Sequence, residues 1–163
     1  MRFDDLVAYL KAEEGLRLKA YKDTVGVWSI GYGANLEAMG LTDATAAKME
    51  ITRFQAEEYL RAEASKAVMG VEAAFPWWAG LDPVRQAIVV AMAYQLGLQG
   101  VRGFKKFIAA IQAKDFAKAA AEMMDSKWAR QTPNRAARAA LMMKDGRWLK
   151  QINGVPMPER MAA

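Results

Sequence analysis

Glu14, Asp23 and Ser29 carry the side chains of this sequence whose types and spacing could do chemistry. They lie in EEGLRLKAYKDTVGVWSIGYGANL, residues 13–36, with eight residues between the glutamate and the aspartate and five between the aspartate and the serine. Glu14 precedes Gly15, the expected stop of a helix, and the negative end of the helix macrodipole disfavours a carboxylate there by a few tenths to about 1 kcal/mol. A carboxyl in that field, partly buried beside Tyr or Trp, resists ionisation, which suits a general acid near neutral pH. Glycoside hydrolysis needs such a group to protonate the leaving oxygen, together with an ionised carboxylate across the sugar. A helix end followed by a hairpin can face the two acids across a groove.

Each residue also has a plainer reading. Glu13 and Glu14 could be solvated surface acids. Asp23 stands in KDTVG, a turn sequence in which Asp bonds its own following backbone. Ser29 in GVWSIGYG could be a strand residue with its hydroxyl toward water. Weight comes from the combination rather than from any one of them.

Composition narrows the chemistry. The 163 residues include no His and no Cys, which excludes disulfides, thiol nucleophiles, Ser-His-Asp arrangements and the common zinc sites. Acid–base work falls to carboxylates, Lys or Tyr, and no metal or organic cofactor is expected. A hydrophobic share of 53% supports one domain with a real core. At the N-terminus, Asp4 and Asp5 interrupt what would have to be the apolar centre of a signal peptide. The longest apolar stretch, Ala87 to Leu98, is too short to span a bilayer and carries Gln95. The expectation is a chain made in the cytoplasm, without stable membrane insertion, that reaches the outside by another route. Net charge is +5, divided as −3 over residues 1–80 and +8 over residues 81–163. The basic half suits a polyanion such as nucleic acid, anionic lipid or bacterial wall, or is a solvated face.

The elements that must position these side chains are legible in outline. Phe3, Leu6, Val7 and Leu10 form the stripe of an amphipathic helix that Gly15 stops. From Ala20 to Leu36 the stripe gives way to β-formers broken by Gly26, Gly31 and Gly33, predicting a hairpin or three-stranded sheet. After Leu41 the pattern is helical to the end. Thr42 can cap a short helix, and Thr52 with Gln55 forms a capping box for a long one to about Glu72, closed by Pro76. Asp82 and Pro83 open the next, ended by Gly97 and Gly100, and further helices are expected at about 101–112, 115–125 and 133–144, the last capped by Thr132 and stopped by Gly146. The fold class is α+β: a small N-terminal lobe with a short sheet at about 13–60, a connecting helix at about 52–75, and an all-helical C-terminal lobe at about 76–150 packing with helix 1–14. NGVPMPERMAA, with two prolines and no apolar periodicity, reads as a loosely docked tail in a 151–163 segment.

EEGLRLKAYKDTVGVWSIGYG resembles the signature of the phage lysozymes (endolysins) of glycoside hydrolase family 24, whose pattern is Glu, eight residues, Asp, five residues, Thr. ITRFQAEEYL is similar to the start of that family's inter-lobe helix, AYQLGLQGVRGF to the start of its C-terminal lobe, and SKWARQTPNRAARA to the stretch that closes its cleft. The resemblance implies a lysozyme-like fold and a muramidase that cuts the β-1,4 bond between N-acetylmuramic acid and N-acetylglucosamine in peptidoglycan, with inversion. By the same resemblance Glu14 is the general acid, Asp23 steers the water and stabilises the oxocarbenium-like state, and Ser29 holds that water. Arg135 is expected to pair with Glu14, and Tyr94, Gln95, Trp128, Gln131 and Thr132 to line the sugar groove. The implied partner is the peptidoglycan strand, with no nucleic acid, and the protein is expected to be a monomer released from the host cytoplasm through a holin-type pore.

Two departures stand out. Ser29 replaces the family's Thr and loses the methyl that restricts its rotamer. Ala34 follows GYG where members commonly have His. Elsewhere the plainer readings lead: Trp77 and Trp78 as a core plug rather than a sugar platform, GYG as tight sheet turning rather than a phosphate loop, and Met92, Met123, Met142 and Met143 as core filler. Lys105, Lys106, Lys127, Arg130, Arg138 and Lys144 are read as a solvated basic face that can also attract anionic wall polymers. Rival functions are a lytic transglycosylase on the same bond, against which Asp23 and Ser29 argue, and a non-catalytic module binding wall or nucleic acid.

Overall fold

The computed structural model describes residues 1–158. Helix α1 (Phe3–Glu14) buries Leu6, Val7, Tyr9 and Leu10, and it stops because Gly15 takes φ 68°, from which its N–H returns to the Lys11 carbonyl. Fully burying a side chain such as Leu10 contributes roughly 1.5–3 kcal/mol. The chain then forms an antiparallel sheet of β1 (Arg17–Lys22), β2 (Trp28–Gly31) and β3 (Ala34–Asn35), in that order. The first strand begins at Arg17, ahead of the Ala20 expected from β-formers alone. The register sets Ser29 of β2 opposite Tyr21 on one side and Asn35 on the other.

Gly31 and Gly33 turn the chain at φ 67° and 89°, and a Cβ on Gly31 would lie 3.1 Å from the Ala56 Cβ. Both therefore serve the turn, and Gly31 also allows the close approach of the helix that carries Ala56, rather than holding a phosphate. Thr42 caps α2 (Asp43–Ala46), and the Thr52–Gln55 capping box opens α3 (Arg53–Ala74). A 3₁₀ turn over Pro76–Gly80 follows, where Trp78 is buried and its indole donates to the Gln86 carbonyl at 3.0 Å, so this tryptophan is the expected core plug.

Asp82 opens α4 (Pro83–Arg102) by accepting from the backbone of Val84 and Arg85, and the helix is broken at Gly97, φ 72° and ψ 166°. Helices α5 (Lys105–Gln112), α6 (Phe116–Met124), α7 (Lys127–Gln131) and α8 (Pro133–Asp145) surround it. The large core gathers on the run Ala87 to Met92 of α4, with Leu6, Leu10, Phe107, Met123, Met142 and Met143 against it. A smaller apolar cluster under the sheet holds Ile30, Leu36, Ile51 and Ala56. The layout is α+β and lysozyme-like, and among the described residues no helix is long and apolar enough to cross a membrane.

Three expectations need correction. The short helix α7 is additional, too brief for a full hydrophobic period to reveal. Thr132 occupies the N-cap position of α8 as expected but makes no side-chain capping bond; its hydroxyl instead donates back to the Trp128 carbonyl at 3.1 Å. The chain is not helical to the end, nor is its last part only a loose tail. Strands β4 (Gln151–Ile152) and β5 (Val155–Pro156) form a hairpin that buries Ile152 and, beyond it, Met157, while residues 159–163 of that expected tail lie outside the described residues.

Candidate active site

Helix α1 ends with two glutamates, and helix α8 presents two arginines one turn apart to meet them. Arg135 Nη1 donates to Glu14 Oε1 at 2.7 Å, the pairing that the family resemblance implies. Arg138 grips Glu13 with two bonds, Nε to Oε1 at 3.0 Å and Nη2 to Oε2 at 2.6 Å. The Glu13 side chain is fully buried and that of Glu14 is 19% exposed, so neither is a solvated surface acid. Arg138 in turn leaves the solvated basic face where it was expected, and its bonds to Glu13 hold the guanidinium above its usual range. Bidentate, charge-assisted bonds of this kind offset the unfavourable field that α1 imposes at its own C-terminus.

The second oxygen of Glu14 faces the β2–β3 turn, since a Cβ on Gly33 would lie 3.7 Å from Oε2. Three tyrosines feel this carboxylate. The Tyr94 phenol is pushed up first by burial and then by the Glu14 charge, and its hydroxyl makes a long 3.5 Å bond to the Tyr32 carbonyl. Burial also raises Tyr9, with Glu13 the next cause and Glu14 a smaller one. Tyr21 is raised by burial, drawn down by Arg17, and raised again by both Glu14 and Asp23, so the two candidate carboxylates share its neighbourhood.

Asp23 does form the turn that its local sequence suggests: Oδ1 accepts from the backbone of Val25 at 3.0 Å and of Val27 at 2.9 Å. Those bonds fix the carboxylate plane and occupy one oxygen, leaving Oδ2 without a protein partner among the described residues. Turn and chemistry therefore do not compete for the same atom. Ser29 is 4% exposed, not directed to open water, and among the described residues its hydroxyl makes only a long 3.4 Å bond to the Val27 carbonyl.

A cavity of about 630 Å³ opens between the end of α4 and helices α5 to α7, lined among others by Phe104, Lys105, Lys106, Lys127, Trp128 and Gln131. Trp128 is buried and its indole donates to Gln95 Oε1 at 2.8 Å, while Phe104 meets it edge-on at 6.2 Å between ring centroids. Of the expected groove residues, Trp128 and Gln131 line this cavity, Gln95 and Thr132 bond to Trp128, and Tyr94 belongs to the surroundings of Glu14. Glu14, Asp23 and Ser29 do not line it.

The phage lysozyme family model matches residues 11–143, a span that contains both carboxylates, Ser29, Arg135 and every expected groove residue. The chain belongs to the phage lysozyme family. Two Dictyostelium discoideum proteins named "Probable T4-type lysozyme 1" and "Probable T4-type lysozyme 2" are 30% and 29% identical over 156 residues, covering 84% of this chain and 92% of each relative. The pre-baseplate central spike protein Gp5 of Enterobacteria phage T4 is 29% identical over 155 residues, which cover 84% of this chain and 27% of that protein. This member of the phage lysozyme family is thus a glycoside hydrolase, a peptidoglycan hydrolase of the lysozyme type.

Sequence reasoning about this lysozyme missed the Glu13–Arg138 pair and a bond from Asn153 Nδ2 to the Ala12 carbonyl at 2.8 Å. A usable signal for the first was present in TPNRAARA, where arginines three apart share a helix face. Lys105, Lys106, Lys127, Arg130 and Lys144 are exposed, as expected of a basic face.

Proposed function

We propose that the enzyme is a muramidase, hydrolysing the β-1,4 bond between N-acetylmuramic acid and N-acetylglucosamine. Glu14 gives its proton to the leaving glycosidic oxygen. Asp23, through its unbonded Oδ2, receives the proton of the attacking water and steadies the oxocarbenium-like state, and the weakly held Ser29 hydroxyl positions that water. Attack from the face opposite the leaving group inverts the anomeric centre. Arg135 orients Glu14, α3 links two lobes that flank the glycan, and Tyr94, Gln95, Trp128, Gln131 and Thr132 shape the sugar groove. The observation that carries this reading is the Glu14–Arg135 pair, with one carboxyl oxygen bonded and the other turned to the glycine turn of the sheet.

Mass spectrometry of fragments released from purified peptidoglycan tests it, with Glu14→Gln alongside. Reducing muramic acid ends made by the wild type and absent with the variant are expected. Anhydro ends would favour a lytic transglycosylase, although the unbonded oxygen of Asp23 supports hydrolysis. For biological role, we read the enzyme as acting in phage-driven host lysis, held in the cytoplasm until a holin-type pore opens. Lysis of expressing cells that depends on a co-expressed holin would bear this out; lysis without one would overturn it.

A further inference from the structure

The last turn of α1 is held from outside the helix. Lys11 O accepts from the Gly15 N–H, but Ala12 O is one of the final carbonyls that the helix itself cannot satisfy. Asn153 Nδ2 supplies its donor at 2.8 Å, from a residue at the tip of the β4–β5 hairpin. That tip is an Asn-Gly turn, with φ 49° at Asn153 and 80° at Gly154, a geometry that suits these two residue types and projects the Asn amide away from the strands. Ile152 and Met157 are 0% and 3% exposed, and the Met157 N–H bonds to the Lys150 carbonyl at 3.0 Å, so the hairpin is anchored independently of its tip.

We propose that Asn153 is a positioning residue for the hydrolytic reaction: its amide, bonded to Ala12 two residues before Glu14, fixes the last turn of α1 and so the aim of the Glu14 carboxyl. The proposal rests on Glu14 being the general acid. The Arg138 grip on Glu13 restrains the same turn from the α8 side, and the hairpin restrains it at Ala12. With Glu14 Oε2 close enough to meet a Cβ on Gly33 at 3.7 Å, a small rotation of the turn changes where its proton is delivered. Reaction rates respond steeply to such misplacement, by as much as about a hundredfold for 1 Å.

Asn153→Gly removes the amide and keeps a residue at ease with positive φ, so the hairpin is retained. On soluble peptidoglycan oligomers this variant is expected to lose roughly three- to tenfold in kcat with KM within about twofold, at unchanged folded fraction. Asn153→Asp keeps the side-chain shape without an N–H donor, and its deficit should shrink as acidification gives the new carboxyl an O–H to donate. Wild-type kcat in both variants, with Glu14→Gln inactive, overturns the positioning role and leaves the general acid in place. An active Glu14→Gln overturns both. A rise in KM alone, or a fall in the folded fraction that accounts for all lost activity, also overturns it.

Discussion

Arg135 and Glu14 stand 121 positions apart in sequence and meet at 2.7 Å with 11% and 19% of their side chains exposed. The arginine therefore stabilises a carboxylate that the C-terminal end of α1 repels. Arg135 Nη2 is buried without a partner among the described residues, where the guanidinium bonds through Nη1. Glu14→Gln keeps an acceptor for Nη1 and should fold normally while losing about 10²–10⁴ in kcat, as loss of a general acid does. Arg135→Ala leaves the acid unpaired and should lower stability by on the order of 3 kcal/mol, besides slowing the reaction. Thermal melts and kcat on peptidoglycan oligomers separate the two; a Glu14→Gln variant less stable than Arg135→Ala would contradict this assignment.

Ser29 tests whether a hydroxyl without its methyl still holds water. Its hydroxyl bond among the described residues is long, 3.4 Å to Val27 O, so the group is free to rotate toward a bound water. Ser29→Ala should reduce kcat at least about tenfold, and Ser29→Thr should stay within a few-fold because the hydroxyl survives. Since the site is 4% exposed, the added methyl is also expected to change stability by up to about 1–3 kcal/mol. Equal rates for all three side chains would remove the water-holding role.

A charge cluster ties α1 to α3 and makes part of the stability depend on pH. Glu57 accepts from Lys11 and, at 3.0 Å, from Arg61, which also bonds Asp4. Those bonds, Lys11 first, hold the Glu57 carboxyl below its ordinary value of 4.5. A depressed carboxyl contributes stability that is fully present above the unfolded value and is lost as pH falls through the lower folded one. The side chain is 34% exposed, so screening limits the effect to a few tenths up to about 1 kcal/mol. Wild type should thus exceed Glu57→Gln in chemical denaturation at pH 7, with the gap closing below about pH 4 and shrinking in high salt. A gap that widens on acidification would contradict the sign.

How much was legible follows from how far each signal reaches along the chain. The stop at Gly15, the sheet around GYG and the Thr52–Gln55 capping box are encoded within a few residues, and the sequence marks each of them. The family motif carried Arg135 to Glu14, which local pattern could not. Nothing local connects Glu13 to Arg138, 125 positions away, or Asn153 to Ala12, 141 positions away. The hairpin had its Asn-Gly signal at 153–154, but strands of two residues are too short for alternation to show, and Pro156 argued against a strand although an edge position accepts it. The plainer reading of Ser29 set its hydroxyl toward water, whereas the residue is 4% exposed, a burial that strand pattern alone does not reveal.

Gln95 and Trp128 give the test of the groove. The indole N–H donates to Gln95 Oε1 at 2.8 Å in a site where Trp128 is 4% exposed and faces the cavity with Gln131. Gln95→Leu removes the acceptor but leaves a side chain of similar size, so the indole must lose its bond or turn toward the cavity. An unsatisfied buried donor costs about 1–3 kcal/mol, and a displaced ring alters the surface offered to the glycan. The variant should therefore melt lower and raise KM several-fold, with kcat affected less because Glu14 and Arg135 are untouched. Adding Trp128→Phe removes the orphaned donor and should recover part of the stability without restoring KM. Recovery of both would mean that the indole supports the fold alone and that the glycan is held elsewhere.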